Sequence, residues 1–164
     1  MKNLQVTLIM LSATLFTILS SCSKEDENVV ITPAAEIVDA FSVKYPGVKD
    51  VKWEILIGAY EAEFVYSGVY TENGQYISLD KVRTHAYISR KGKWQRSDFD
   101  VTRDYEHSTS AAIPLAVREA ISATGWKVKE IKLFDWADHA DYYYVKFYGE
   151  GSELRFKLDG TLAD

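Results

Sequence analysis

The chain has a single cysteine among its 164 residues, at Cys22. One thiol cannot form an internal disulfide or a multi-cysteine metal site. The three histidines, His85, His107 and His139, are far apart in the chain, and none lies in the HExxH spacing of zinc hydrolases. The sequence also lacks a glycine-rich phosphate loop and a GxSxG nucleophile motif. These absences predict a protein that is not an enzyme, with no catalytic residues, no metal and no cofactor.

Basic residues are too few for a nucleic-acid-binding surface. Asp and Glu number 24 against 19 Lys and Arg, and the formal net charge is −5. Binding to nucleic acid, or to anionic lipid headgroups, depends on an excess of positive charge. We therefore expect no nucleic-acid partner, and any membrane contact has to come from an attached lipid.

An apolar run occupies residues 4–19, after the basic residue Lys2 and before Leu19-Ser20-Ser21-Cys22. This order is typical of an export signal, and Leu-Ser-Ser-Cys resembles the bacterial lipobox, whose cysteine is acylated and becomes the new N-terminus. The alternatives are an ordinary signal peptide and an uncleaved anchor helix, but the run is shorter than the roughly 20 apolar residues of a spanning helix. We predict a lipoprotein signal peptide at 1–21 and lipid attachment at Cys22.

Residues 22–32 are polar and acidic at first, and we interpret them as a flexible tether. Ser23 differs from the Asp that retains lipoproteins in the inner membrane of enteric bacteria. The run Lys24-Glu25-Asp26-Glu27 looks like the acidic tag that directs Bacteroidetes lipoproteins to the cell surface, although a plain solvated tether would have the same composition. We predict an outer membrane lipoprotein that is either periplasmic-facing or exposed at the cell surface.

The chain contains two similar halves, offset by 80 residues. The segments 37–41 and 48–52 match 117–121 and 128–132 in residue class. Each half begins with an apolar stripe at helical spacing and continues with alternating, strand-like segments. We expect two tandem αβββ units, at 33–105 and 106–164, that form an antiparallel sheet with the helices on one face. An Asn73-Gly74 turn signal in the first unit predicts an inserted hairpin near 70–80.

Several motifs carry a family resemblance in this order: "FSVKYPGVKDVKWE", "YEAEF", "KGKW", "IPLAVREAI", "WKVKEIKLF", "YYYVKF" and "LDGTL". They resemble the PepSY-like, β-lactamase-inhibitor-like family of exported Bacteroidetes proteins, over about residues 34 to 162. The resemblance implies an α+β fold of tandem αβββ units and suggests inhibition of a peptidase or β-lactamase. One departure is Arg90-Lys91-Gly92, where the family usually has Asp before Gly-Lys. No contact residue of the inhibitor can be transferred to this chain.

The segment "DWADHAD" places Asp135, Asp138, His139 and Asp141 close together in the sequence. Carboxylates and an imidazole could ligate a cation, but their spacing is not that of an EF-hand. Asp and His are also frequent where one strand turns into the next. We favour the turn.

Aromatic residues make up 13% of the chain and are concentrated in "YYYVKFY". Because neighbouring side chains in a strand point to opposite faces, we expect Tyr143 to face the helices together with Phe147. The outer face then receives Tyr142, Tyr144 and Tyr148, with Trp136 at its edge. Tyr and Trp are favoured at protein interfaces, so this set is our candidate partner-binding face. Alternatively, the rings pack under the Asn73-Gly74 hairpin or only stiffen the sheet.

These features together predict a lipid-anchored, non-enzymatic binding protein of the cell envelope. The expected partner is a protein, with a hydrolase of the peptidase or β-lactamase type as the inhibited target. An alternative is an envelope sensor or small-ligand module for peptide or glycan, and a third reading is a structural subunit of an outer-membrane complex.

The lipid anchor predicts the behaviour of a Cys22→Ala variant. This change removes the only thiol that can be acylated, so the chain should leave the membrane fraction and incorporate no labelled palmitate. Ser23→Ala is the matched control and should keep both properties. Palmitate labelling that persists in the alanine variant would contradict the assignment.

Overall fold

The computed structural model describes residues 31–72, 75–107, 110–149 and 151–163. The predicted signal peptide, Cys22 and nearly all of the predicted tether lie outside the described residues. The same holds for the Asn73-Gly74 turn signal.

Three helices and seven strands make up the regular structure of the described residues. In chain order they are α1 (Ala35–Lys44), β1 (Lys52–Leu56), β2 (Ala59–Glu72), β3 (Gln75–Ser89), β4 (Trp94–Asp100), α2 (Thr102–Glu106), α3 (Leu115–Ala123), β5 (Val128–Trp136), β6 (Tyr142–Phe147) and β7 (Glu153–Phe156). The strands form one sheet in the order β1 to β7, and every neighbouring pair is antiparallel. The α+β class and the antiparallel sheet are confirmed.

The two halves of the chain meet in the middle of this sheet. Strand β4 pairs with β5, with Phe99 opposite Leu133 and Asp98 opposite Phe134. The first half contributes four strands instead of the three expected for an αβββ unit, because the turn at Gly92 separates β3 from β4. The tandem duplication and its boundaries stay a prediction.

The region of the predicted insertion near 70–80 is the far end of β2 and β3, which pair up to Glu72 opposite Gln75 on either side of Asn73-Gly74. That this part of the hairpin is an insertion stays a prediction. The register shifts once along this pair, between Tyr66 and Gly68. The bulge adds twist to the long hairpin.

The hydrophobic core lies between the helices and one face of the sheet. Helix α1 buries Ile37 and Phe41, and Tyr45, directly after the helix, continues the same stripe at a spacing of four residues. Helix α3 buries Val117 and Ile121 at the same spacing. Fully burying an aliphatic or aromatic side chain contributes about 1.5 to 3 kcal/mol, so these stripes hold the helices on the sheet.

Strand side chains complete the core from below. The buried ones mostly alternate along each strand, with a change of parity in β3 between Leu79 and Val82. They include Phe64, Ala86, Phe99, Ile131, Leu133, Tyr143 and Val145. Phe64 packs edge-on against Phe41 with the ring centroids 5.0 Å apart, in the geometry that aromatic pairs prefer. The helix-side face of the sheet is therefore mostly covered by α1, α3 and their connections.

The hydroxyl of Tyr143 ties β6 to the segment before α3, and its removal should destabilise the fold. Tyr143 is fully buried and donates a hydrogen bond of 2.8 Å to the carbonyl of the buried Ala112. Tyr143→Phe deprives that carbonyl of its donor, so the free energy of unfolding should fall by about 1 to 3 kcal/mol. Urea denaturation followed by circular dichroism measures this change.

Tyr142→Phe is the matched control, since the Tyr142 side chain lies on the partly exposed opposite face. Its effect should stay within about 0.5 kcal/mol. Equal losses in the two variants would show that the hydrogen bond of Tyr143 does not contribute specifically.

Candidate functional site

The sheet has a second face, opposite the helices, that the described residues leave uncovered. We call it the open face. Its side chains alternate with the core residues, and cross-strand pairs place them side by side. The central ones are Glu61, Arg83, His85, Tyr87, Arg96, Asp98, Lys132, Phe134, Trp136, Tyr142 and Tyr144.

The structure places three of the four candidate residues together on the open face. Tyr142 and Tyr144 are partly exposed there, whereas Tyr143 between them is fully buried on the helix side. Trp136, at the end of β5, lies on the same face as these two tyrosines. The strand alternation that predicted this arrangement holds through β6.

Phe134 is the centre of this group, and sequence reasoning missed it. Its ring stacks on Tyr142 with the centroids 5.2 Å apart and on Trp136 at 6.3 Å, and it meets Tyr144 edge-on at 6.1 Å. We call these four residues the aromatic cluster. Phe134 has the parity of Trp136 in β5, and that signal was present in the sequence.

Two arginines flank the aromatic cluster. The guanidinium carbon of Arg96 lies 4.2 Å from the ring centroid of Tyr87, 5.2 Å from that of Trp136 and 5.4 Å from that of Phe134. Arg155 lies 5.5 Å from the ring centroid of Tyr142. Each such contact is worth about 0.5 to 1 kcal/mol at an exposed site, which helps to hold the rings in place. The cluster is therefore an ordered surface of rings and guanidinium groups.

Tyr148 lies apart from the aromatic cluster. It follows the end of β6 and is 59% exposed, with the amino group of Lys127 5.1 Å from its ring centroid. Among the described residues it makes no ring contact with the cluster. It lines a separate groove of about 500 Å³ with Trp126, which is 53% exposed, and Tyr105. The predicted binding face thus divides into a cluster and a groove.

A polar network adjoins the rings on β2, β3 and β4. His85 Nδ1 lies 2.5 Å from Glu61 Oε1, and the Tyr87 hydroxyl donates to the same oxygen at 3.4 Å. Asp98 is only 4% exposed, and its Oδ2 lies 3.7 Å from Lys132 Nζ. Burial raises the pKa of Asp98 above its ordinary value, while the positive charge of Lys132 opposes the shift.

Tyr144 is oriented by a carboxylate on the neighbouring strand. Its hydroxyl donates to Glu153 Oε2 at 2.5 Å, and this bond raises the pKa of Tyr144 to about 12. The hydroxyl thus stays protonated near neutral pH.

The acidic segment 135–141 begins in the last two residues of β5 and continues as the connection from β5 to β6. Asp135 points to the helix side and forms a 2.9 Å ion pair with Lys44, while Asp141 accepts a hydrogen bond of 2.9 Å from the Trp136 backbone N–H. Asp138 and His139 are exposed between the two strands. No group of three or more His, Cys, Asp or Glu residues is arranged to hold a metal ion in the described part of the chain.

None of the helices in the described residues combines the length and the apolar character needed to cross a membrane.

Comparison with known proteins finds similarity in structure only. No family model matches the chain, and no curated protein does. A DUF2874 family protein from Bacteroides ovatus is similar in structure with a TM-score of 0.63 and 16% identity, over 82% of this chain and 86% of the other. A BLIP-like protein from Bacteroides fragilis has a TM-score of 0.62 and 18% identity, over 85% and 89%.

A third similar structure is from Bacteroides eggerthii and is provisionally named a periplasmic protein. Its TM-score is 0.59 at 16% identity, over 82% of this chain and 88% of the other. The chain shares the fold of these proteins, one of which is BLIP-like. The PepSY-like resemblance stays a prediction.

The raised pKa of Asp98 predicts how stability depends on pH. The Asp98 carboxyl group binds its proton more tightly in the folded protein than in the unfolded chain. Below the ordinary pKa of 3.8 the group is protonated in both states and does not lower the free energy of unfolding. As the pH rises from 3.8 through the pKa of the folded state, the free energy of unfolding falls. Asp98→Asn should be more stable than the parent at about pH 7, and this advantage should vanish towards about pH 3.

Urea denaturation at both pH values measures this difference. Asp138→Asn, at an exposed position of the turn, is the control and should differ little from the parent at either pH. An advantage of Asp98→Asn that is the same at both pH values would contradict the assigned cause.

Proposed function

We propose that this protein is a lipid-anchored, non-enzymatic binding protein of the cell envelope, and that its open face contacts a protein partner. The aromatic cluster carries the proposal. Phe134, Trp136, Tyr142 and Tyr144 are partly exposed on β5 and β6, on the uncovered face of the sheet, with Arg96 and Arg155 beside them. Trp, Tyr and Arg are the residues that most often dominate the energy of protein interfaces.

The shape of the face supports a protein as the partner. Seven strands at a spacing of about 4.8 Å make a surface roughly 30 Å wide, which suits the ~800 Å² that each partner buries in a standard interface. Small-molecule sites are instead concave and mostly enclosed. The rings are already held by stacking and cation–π contacts, so little side-chain freedom is lost on binding.

The envelope location and the class of target are further parts of the proposal. The lipobox-like segment at Cys22 supports export and anchoring. Similarity to a BLIP-like protein and to one provisionally named periplasmic supports a hydrolase of the envelope as the target.

A second candidate function comes from the groove beside Tyr148. Its volume of about 500 Å³ falls in the range of small-ligand sites, and the exposed rings of Trp126 and Tyr148 stand beside the charged groups of Glu106, Lys127 and Lys129. This groove favours a peptide or glycan, as an envelope sensor would bind.

A comparison of two sets of variants distinguishes the two surfaces. The partner is first isolated by affinity purification of the anchored protein from its own host and identified by mass spectrometry. The double variant Tyr142→Ser/Tyr144→Ser should then raise the dissociation constant at least about 30-fold, as expected for one or two interface hot spots. Tyr148→Ser should leave it nearly unchanged.

Thermal unfolding of each variant serves as the control for folding. Undiminished partner binding by the folded double variant would exclude the aromatic cluster as the contact site. A large loss in Tyr148→Ser alone would favour the groove. If the partner is a hydrolase, inhibition of its activity should weaken in the double variant in parallel with binding.

A further inference from the structure

The two edge strands of the sheet, β1 and β7, differ in whether a further segment pairs with them. At β7 the chain returns after the turn at Gly160, so that Leu162 pairs with Phe156 and the N–H of Ala163 donates to the carbonyl of Arg155 at 2.9 Å. At β1 no strand of the described residues lies on the outer side. The backbone groups on that side are available for pairing with another chain.

The alternation of hydrogen-bonded and non-hydrogen-bonded pairs in the β1–β2 hairpin shows which backbone groups of β1 point away from the sheet. Leu56 and Ala59 pair on either side of the two residues Ile57 and Gly58, so they form the closing hydrogen-bonded pair. The backbone groups of Lys52, Glu54 and Leu56 therefore point to β2. Consistent with this alternation, the carbonyl of Gly58 points away from β1 and accepts a hydrogen bond of 3.3 Å from the backbone N–H of Arg90.

Trp53 and Ile55 consequently point their N–H and C=O groups away from the sheet. Their side chains face the helix side, where Trp53 contacts Phe41 at 5.4 Å between ring centroids. Ile55 is 51% exposed. Lys52 and Glu54 alternate with them on the open face. This strand thus offers free hydrogen-bonding groups, an uncovered apolar side chain and two opposite charges.

A second copy of β1 fits this edge in one register. An antiparallel two-fold pairing centred on Glu54 or on Lys52 places like charges directly opposite each other, which is destabilising. Centring on Ile55 places Glu54 opposite Leu56. Centring on Trp53 places Lys52 of each copy opposite Glu54 of the other, and Val51 opposite Ile55. Charged side chains on an edge strand commonly block pairing. Here the order of Lys52 and Glu54 favours the register centred on Trp53 over the other registers.

We propose that two copies of this chain pair through β1 in the register centred on Trp53. The hydrogen bonds come from Trp53 and Ile55, whose groups already point outward, and the left-handed backbone of Asp50, with φ of 57°, ends the pairing. The two-fold axis is perpendicular to the sheet. Both open faces therefore point the same way, and the dimer presents two aromatic clusters to one side, which increases avidity for a repeated or dimeric partner.

Charge exchange tests the register. The full chain, purified from its host in a non-denaturing detergent, is examined by sedimentation equilibrium with the detergent density-matched. Lys52→Glu and Glu54→Lys each create two like-charge pairs across the two-fold axis, so each should weaken the dimer by about tenfold. The double variant Lys52→Glu/Glu54→Lys restores opposite charges and should recover most of the affinity.

Ile55→Pro provides a variant that tests the backbone. The N–H of Ile55 points away from β2, so proline removes no hydrogen bond within the sheet but removes one from each side of the dimer interface. This variant should be monomeric, with the circular dichroism of the parent. It keeps the proposal testable if either charge variant does not fold.

Three outcomes would overturn the proposal. One is a parent chain that stays monomeric up to about 0.1 mM, the range in which a specific dimer is populated. Another is a dimer that neither single charge variant nor Ile55→Pro weakens, which would place the interface elsewhere. The third is a folded double variant that dimerises no better than the single variants.

Discussion

One-sided burial of the sheet is the constraint on which the rest of the structure depends. Helices α1 and α3 cover one face with their buried stripes at Ile37, Phe41, Val117 and Ile121, and no helix of the described residues lies on the other face. An antiparallel sheet tolerates this arrangement because alternate side chains can face water. The same strand, β6, therefore provides both the buried Tyr143 and the partly exposed rings of the open face.

Having no helix above them, the side chains of the open face are ordered by one another. Rings stack across β5 and β6, Arg96 lies over three aromatic rings, and Glu153 orients the hydroxyl of Tyr144. Asp98 is buried beneath this layer at a cost that Lys132 only partly offsets. A surface that keeps large rings ordered and a carboxylate buried, without contributing to the core, is more readily explained by binding than by stability.

Much of the fold follows from local patterns in the sequence. The apolar spacing in α1 and α3 and the alternation in "YYYVKF" predicted the observed elements. The first half has four strands where three were expected. The pairing of β4 with β5 was not specified, since hydrogen bonding between strands distant in sequence leaves no local signal.

The sequence by itself determined the class of fold and the alternation of side chains within each regular strand segment, because both follow from periods of two and of about 3.6 residues. Only the tertiary structure decided which of these side chains are neighbours. Cross-strand register brought Phe134 into the aromatic cluster and Arg96 beside it, whereas Tyr148 lines a separate groove. Register depends on the packing of the whole sheet on its helices, so it cannot be worked out from any one strand.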